Sequence, residues 1–269
     1  MDREILKATW NRLRRADLTL NGAAVAFHTF FAIIPLGFAL LGFAAWIGRD
    51  QGAVARVLGA LSPIAPEAFV EFIAGVLAES ERRIAGEWWV VAVSVGVSLF
   101  LGARAVVALQ RALAAVQGTL ELRQGARLRL VAIGLTAAGG VVLLITGTVL
   151  VGGRTFFAFL EGWSGIPGLL GLWAWLSVPV ATAGLFGFLI ACYRFGPPRP
   201  MPRATLAATI GTVGVLALSL GFGLYLSRVG SLGVYAGTLG TVAVILTWLY
   251  LGAVAILAGA ALVSGESQS

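Results

Sequence analysis

Charged side chains are scarce in this chain of 269 residues. They make up 12% of it, whereas 59% of the residues are hydrophobic. A soluble domain carries about 25% charged residues, so this chain has too few to cover a surface that faces water. Lipid offers no water to the backbone, and only helix bundles and closed barrels can span it. The apolar runs are continuous rather than alternating, which predicts an all-α fold, a polytopic membrane helix bundle.

Groups that carry chemistry are also few, with twelve acidic residues, one histidine and one cysteine. A single cysteine excludes an intrachain disulfide, and one histidine and one cysteine cannot by themselves hold zinc. No phosphate-binding loop, serine-hydrolase elbow or zinc-protease motif occurs. No acidic residue falls well inside an apolar segment, as a proton-coupled pump would require, so ion-driven antiport is poorly supported. We therefore expect no enzyme, no cofactor and no metal site.

Six apolar segments are long enough to cross a bilayer, which takes about 20 residues. The clearest break between them is "RFGPPRPMPR" at 194–203, through which no helix can continue. The predicted spans are 23–47, 88–108, 130–152, 168–192, 204–226 and 236–263.

Basic residues cluster on alternate connections. Thirteen of the nineteen precede the first span or lie between the second and third or the fourth and fifth, counting Arg104, which is just inside the end of the second span. This bias places both termini in the cytoplasm. The net charge of +7 is then explained by topology, and no nucleic-acid partner is expected. The thirteen are Arg3, Lys7, Arg12, Arg14, Arg15, Arg104, Arg111, Arg123, Arg127, Arg129, Arg194, Arg199 and Arg203.

Two segments outside the spans are amphipathic. Residues 1–22 pair one apolar face with a basic one, which is typical of a helix on an anionic leaflet or of a solvated helix packed on the bundle. Within 50–86, apolar residues recur at helical spacing from Phe69 to Leu77, predicting an outer-side amphipathic insertion. The predicted organisation is a cytoplasmic segment (1–22), a transmembrane domain (23–263) and a cytoplasmic tail (264–269).

The first span contains the only histidine, His28, and a proline, Pro35, on one helical face. A proline inside a helix frees a carbonyl and kinks the helix, which opens a gap against its neighbours. One interpretation makes His28 a packing residue and the arginines topological. The other places His28 with Arg104, Arg111 and Arg194 at the inner mouth of a cavity for an anionic lipid headgroup, because arginine forks suit phosphate.

Several stretches resemble the YihY/BrkB family of bacterial inner-membrane proteins, once labelled as a ribonuclease. They are "AAVAFHTFFAIIP" in the first span, "LQRAL" at 109–113, "YRFGPPR" at the linker, and the last two spans. The resemblance covers nearly the whole chain. In the last two spans it gives structural roles to Tyr225, Tyr235, Tyr250 and Gly259.

The chain departs from that family where Ala32, Ala114 and Ala261 replace a serine, an asparagine and a glutamate. The resemblance implies six spans with both termini inside, in a bacterial inner membrane. It also implies export of lipid or lipid-linked molecules. The residues argue against a ribonuclease, which needs metal-binding carboxylates or a histidine pair.

Two functions remain open at this point. The first is movement or binding of lipids or lipid-linked amphiphiles through a lateral groove, with membrane lipids as partners. The second is a non-transporting scaffold or accessory subunit that binds another envelope protein through residues 66–81. A narrow channel ranks third, because no charged ring or filter-like loop occurs.

Overall fold

Helices account for the architecture of this protein. The computed structural model describes residues 17–47, 70–71, 74–75, 88–118, 126–201, 203–229 and 231–264, and no strand occurs among them. The all-α prediction is therefore confirmed. Six long helices follow one another: α1 Leu18–Ile47, α2 Trp88–Val116, α3 Ala126–Ser164, α4 Leu169–Phe195, α5 Ala204–Val229 and α6 Ser231–Ser264.

These helices suit a multi-pass membrane bundle. Five of them contain a stretch long and apolar enough to cross a bilayer, and α1 contributes the shorter apolar stretch Leu18–Ile33 within its 30 residues. Each predicted span falls inside one helix to within a residue. The helices run past the predicted ends, most of all α3, which continues to Ser164 instead of ending at 152, and α2, which continues to Val116 instead of ending at 108.

Both predicted amphipathic segments fall mostly outside the described residues. Of the insertion at 50–86, the structure describes only residues 70–71 and 74–75, and both pairs are helical. Residues 1–16 and 265–269 also lie outside it. The domain boundaries stay predictions.

The six helices form a closed ring. Each helix packs against the next one in the chain, α6 packs back against α1, and α2 reaches across the ring to α6. The turn between α3 and α4 is short, and Gly165 and Gly168 adopt the positive φ angles that favour glycine. Sequential antiparallel packing of this kind explains how continuous apolar helices bury their smaller residues against each other.

The buried core lies at one end of the ring, which we call the compact end. It is built from the starts of α1, α3 and α5 and the ends of α2, α4 and α6. The Tyr193 hydroxyl donates a hydrogen bond of 2.7 Å to the Ile256 carbonyl, which ties α4 to α6. The main core cluster comprises Leu109, Ala112, Leu113, Val116, Leu189, Cys192, Tyr193, Met201, Ala207, Ala208, Leu257, Ala260, Ala261 and Val263.

Small residues bring α5 and α6 into backbone contact at the compact end. A Cβ atom added to Gly259 would lie 2.9 Å from both the Ala207 carbonyl oxygen and the Gly211 nitrogen. Helices in lipid gain van der Waals contact from such close approach, because no hydrophobic effect drives them together there. Gly252, on the same helix, has open space around it.

Candidate functional site

His28 and Arg104 lie deeper in the bundle than their sequence positions suggested. Since α1 begins at Leu18, His28 lies about 15 Å along the helix axis from that start. Since α2 runs on to Val116, Arg104 lies about 18 Å from its end. The two helices are antiparallel neighbours, so both residues come to a similar depth.

The structure places these two side chains on neighbouring helices, on either side of the seam between α1 and α2. They are near enough for the positive charge of Arg104 to influence the His28 imidazole. His28 is half-buried, whereas Arg104 is exposed on the surface of the bundle. We call them the His28–Arg104 pair. Ionisable residues at membrane depth are costly, and they commonly mark a functional site.

Aromatic rings surround the pair. The Arg104 guanidinium lies over the Phe100 ring, 5.3 Å from its centroid, in a cation–π contact. His28 meets Phe27 edge to face at 5.6 Å between centroids, and Phe27 lies 4.8 Å from Phe31. Phe27, Phe31 and Phe100 are all exposed on this face. Phe100 was not among the predicted site residues, although its position four residues before Arg104 on a helix favours such a contact.

Carboxylates are almost absent from the helices. Across the six described helices the one acidic residue is Glu161, near the end of α3 opposite the compact end, where it accepts a hydrogen bond of 2.8 Å from the Leu170 amide. The helices that pack on α1 and α2 therefore supply no anion beside Arg104. The described residues also contain no group of three or more potential metal ligands.

The other two predicted site arginines are placed differently. Arg111 lies two turns beyond Arg104 on the exposed face of α2, closer to the compact end. Arg194 is exposed at the end of α4. Among the described contacts, none brings Arg194 to His28 or to Arg104, so the four residues do not form one cluster.

The predicted structural residues are spread through the bundle. Pro35 is half-buried within α1, which continues on both sides of it. Tyr250 packs on Gly22, which joins α6 to α1. Tyr225 is 57% exposed and stacks on Phe222. Gly259 makes the backbone contact described above, and Tyr235 belongs to the first turns of α6, with its side chain outside the described part.

A mostly apolar groove of about 400 Å³ lies between α5 and α6, beyond their contact at Gly259. The Trp248 indole donates a hydrogen bond of 3.1 Å to the Ser219 hydroxyl and joins the two helices beside it. No member of the His28–Arg104 pair lines it. The lining residues are Ala217, Leu218, Gly221, Phe222, Tyr225 and Leu251.

The fold and the site define an integral, multi-pass α-helical membrane protein with a cationic and aromatic surface between its first two helices. Comparison with known families agrees with this class. The family model described as virulence factor BrkB matches residues 9–268. The chain belongs to this BrkB family.

A curated relative and the solved structures add little detail. The chain is 26% identical to a UPF0761 membrane protein of Methylibium petroleiphilum, over 96% of this chain and 61% of the relative. The chain thus spans about three fifths of that relative's length. No solved structure matches it.

Replacing His28 by alanine is expected to change the stability of the protein little. The imidazole is half-buried and its ring contact is with the exposed Phe27, so the free energy of unfolding should shift by about 1 kcal/mol or less. Thermal unfolding of the purified protein in detergent micelles measures this. A variant that fails to fold would show that His28 is a packing residue of the bundle.

Proposed function

We propose that this protein binds the anionic headgroup of a membrane lipid at the His28–Arg104 pair and moves such lipids, or lipid-linked amphiphiles, between the leaflets. Catalysis is no part of this proposal. In it the protein resides in a bacterial inner membrane with both termini in the cytoplasm. The compact end, where most of the arginines lie, then faces the cytoplasm.

The exposed guanidinium of Arg104 is the observation that carries the proposal. An unpaired cation at this depth is expensive, and translocon insertion measurements place the cost at about 2.5–3.5 kcal/mol at a helix centre. Phe100 offers a cation–π contact, but α1 and α2 offer no carboxylate. A lipid phosphate would supply the missing negative charge, and the planar fork of arginine binds phosphate through two parallel hydrogen bonds.

The surroundings of the pair also favour an amphiphile over a free anion. The exposed rings of Phe27, Phe31 and Phe100 give the guanidinium apolar neighbours on the same face. An acyl chain lying along this face would cover those rings while its headgroup meets Arg104. The separate groove between α5 and α6 offers a second apolar wall.

Reconstitution into liposomes tests the proposal directly. The full-length protein is inserted into vesicles containing a fluorescent phosphatidylglycerol or a fluorescent phosphatidylcholine, and the fraction of label that reaches the other leaflet is followed by dithionite quenching. We expect faster exchange of the anionic lipid than in protein-free vesicles, and a smaller effect on the zwitterionic lipid.

Exchange equal to that of empty vesicles for both lipids contradicts lipid movement. In that case the alternative function, a membrane scaffold that binds another envelope protein through residues 66–81, becomes the better explanation. Most of those residues lie outside the described structure. Equally faster leaflet exchange of both lipids would support lipid movement but contradict selection for the anionic headgroup.

A further inference from the structure

The side-chain amide of Gln110 is sealed inside the compact end without a partner. Gln110 is 1% exposed, and neither its Oε1 nor its Nε2 has a hydrogen-bond partner within the described residues. The Thr212 hydroxyl, at the start of α5, is buried and unpartnered as well. Buried polar groups are nearly always bonded, so each such exception calls for an explanation.

The segment that covers Gln110 is residues 196–201, which we call the strap. It joins α4 to α5, and a Cβ atom added to Gly196 would lie 3.6 Å from the Gln110 Cγ. Two of its own residues face the core: Pro197 is fully buried, and Met201 is nearly so. The strap thus lies directly over the buried amide.

Among the described residues, three hydrogen bonds hold the strap. The Gly196 amide donates to the Cys192 carbonyl at 2.8 Å, the Met201 amide to the Tyr193 carbonyl at 3.3 Å, and the exposed Gln117 side-chain amide to the Arg199 carbonyl at 3.0 Å. Three of the six strap residues are prolines, which have no amide hydrogen to donate. Lifting the strap therefore breaks few backbone hydrogen bonds, and it exposes the Gln110 amide to water.

We infer that the compact end is a gate, that the strap is its moving part, and that Gln110 is the polar group that favours its opening. In this inference the structure is the closed state of the gate, with α5 and α6 in backbone contact at Gly259. An unbonded buried amide weakens the closed state by a factor of about 5 to 150 in the equilibrium constant. The cargo assigned to the gate rests on the proposed function, but the opening itself does not.

The chain carries its own reporter of this opening. Cys192 is the only cysteine, it is 1% exposed, and it lies in the same core cluster, next to Tyr193. A water-soluble maleimide can reach its thiol only when the compact end opens. The experiment follows the rate of Cys192 labelling in the full-length protein, reconstituted in vesicles, for the wild type and for variants.

Gln110→Leu removes the unbonded amide and keeps a side chain of similar size. We expect about tenfold slower labelling of Cys192, because the closed gate no longer contains an unpaired polar group. The control is Ser177→Ala. That residue is buried on α4 far from the strap, and it loses a hydrogen bond of 2.7 Å to the Ala174 carbonyl. Its labelling rate should equal that of the wild type.

Two results would overturn the gate. One is an equal or faster labelling rate in Gln110→Leu. The other is faster labelling in Ser177→Ala, since that would mean that Cys192 reacts through general unfolding and not through the strap. Lipid exchange is scored separately in the liposome assay. If Gln110→Leu slows the labelling of Cys192 but the wild type moves no lipid, the gate is supported and lipid is not its cargo.

Discussion

Replacing Gly259 by alanine is expected to destabilise the protein strongly, although the change adds only one methyl group. That methyl would lie 2.9 Å from backbone atoms of Ala207 and Gly211. Backbone atoms within a helix cannot change position as a flexible side chain can. The two helices would have to separate at the compact end. Overpacking of this kind costs about 1–3 kcal/mol, and the rigid backbone on both sides favours the upper part of that range.

The same helix provides a matched control. Gly252 lies two turns before Gly259 on α6, and a Cβ atom there meets nothing within 4 Å. Gly252→Ala should leave stability unchanged or raise it by up to about 1 kcal/mol, because alanine is the better helix former. Thermal unfolding midpoints of both variants in the same lipid nanodiscs give the comparison. Equal midpoints would mean that α5 and α6 do not touch at Gly259.

Spans and fold class could be predicted from the sequence because the bilayer sets their length and demands continuous apolar helices. The helix ends could not. The last two turns of α2 carry Gln110 and Arg111, so its hydropathy falls before the helix stops at Val116. Intrahelical hydrogen bonds and packing at the compact end continue the helix there. This extension is the reason that Arg104 lies deeper than the predicted span placed it.

Some residues discussed above could be predicted from the sequence and others could not. The sequence pointed to His28 as the only histidine, set in an apolar span, and to Arg104 as an arginine near the inner mouth. The structure places them on neighbouring helices at a similar depth, and their role in binding stays a prediction. Gln110 escaped notice because a glutamine next to an arginine suggests a surface residue. Its burial depends on the strap, which packs back over α2 from far along the chain. No local pattern contains that contact.

The groove between α5 and α6 was also beyond a sequence argument. Its position depends on how the two helices pack beyond their contact at Gly259, where the Trp248 indole donates a hydrogen bond to the Ser219 hydroxyl. Glycine is common along both helices, so composition does not reveal which glycine makes the contact. Tertiary packing decides it.

Removing the charge of Arg104 is expected to have the largest effect on lipid binding. Hydrogen bonds to charged groups contribute about 1.5–3 kcal/mol, so Arg104→Gln should weaken binding of an anionic lipid by about tenfold or more. Arg104→Lys keeps the charge but loses the planar fork, so its affinity for the lipid should lie between those of the wild type and Arg104→Gln. Binding of a fluorescent phosphatidylglycerol to the protein in nanodiscs, titrated by energy transfer from tryptophan, measures these affinities.

An affinity that falls from the wild type to Arg104→Lys to Arg104→Gln would indicate that the guanidinium itself binds the lipid. Arg127 provides the control, because it is also exposed but lies at the start of α3, away from the α1–α2 seam. Arg127→Gln should bind the lipid as the wild type does. A general attraction between a basic protein and an anionic membrane would instead weaken binding equally in both glutamine variants. Because Arg104 is exposed, Arg104→Gln should also unfold no earlier than the wild type, so that weaker binding reports the loss of the guanidinium and not of the fold.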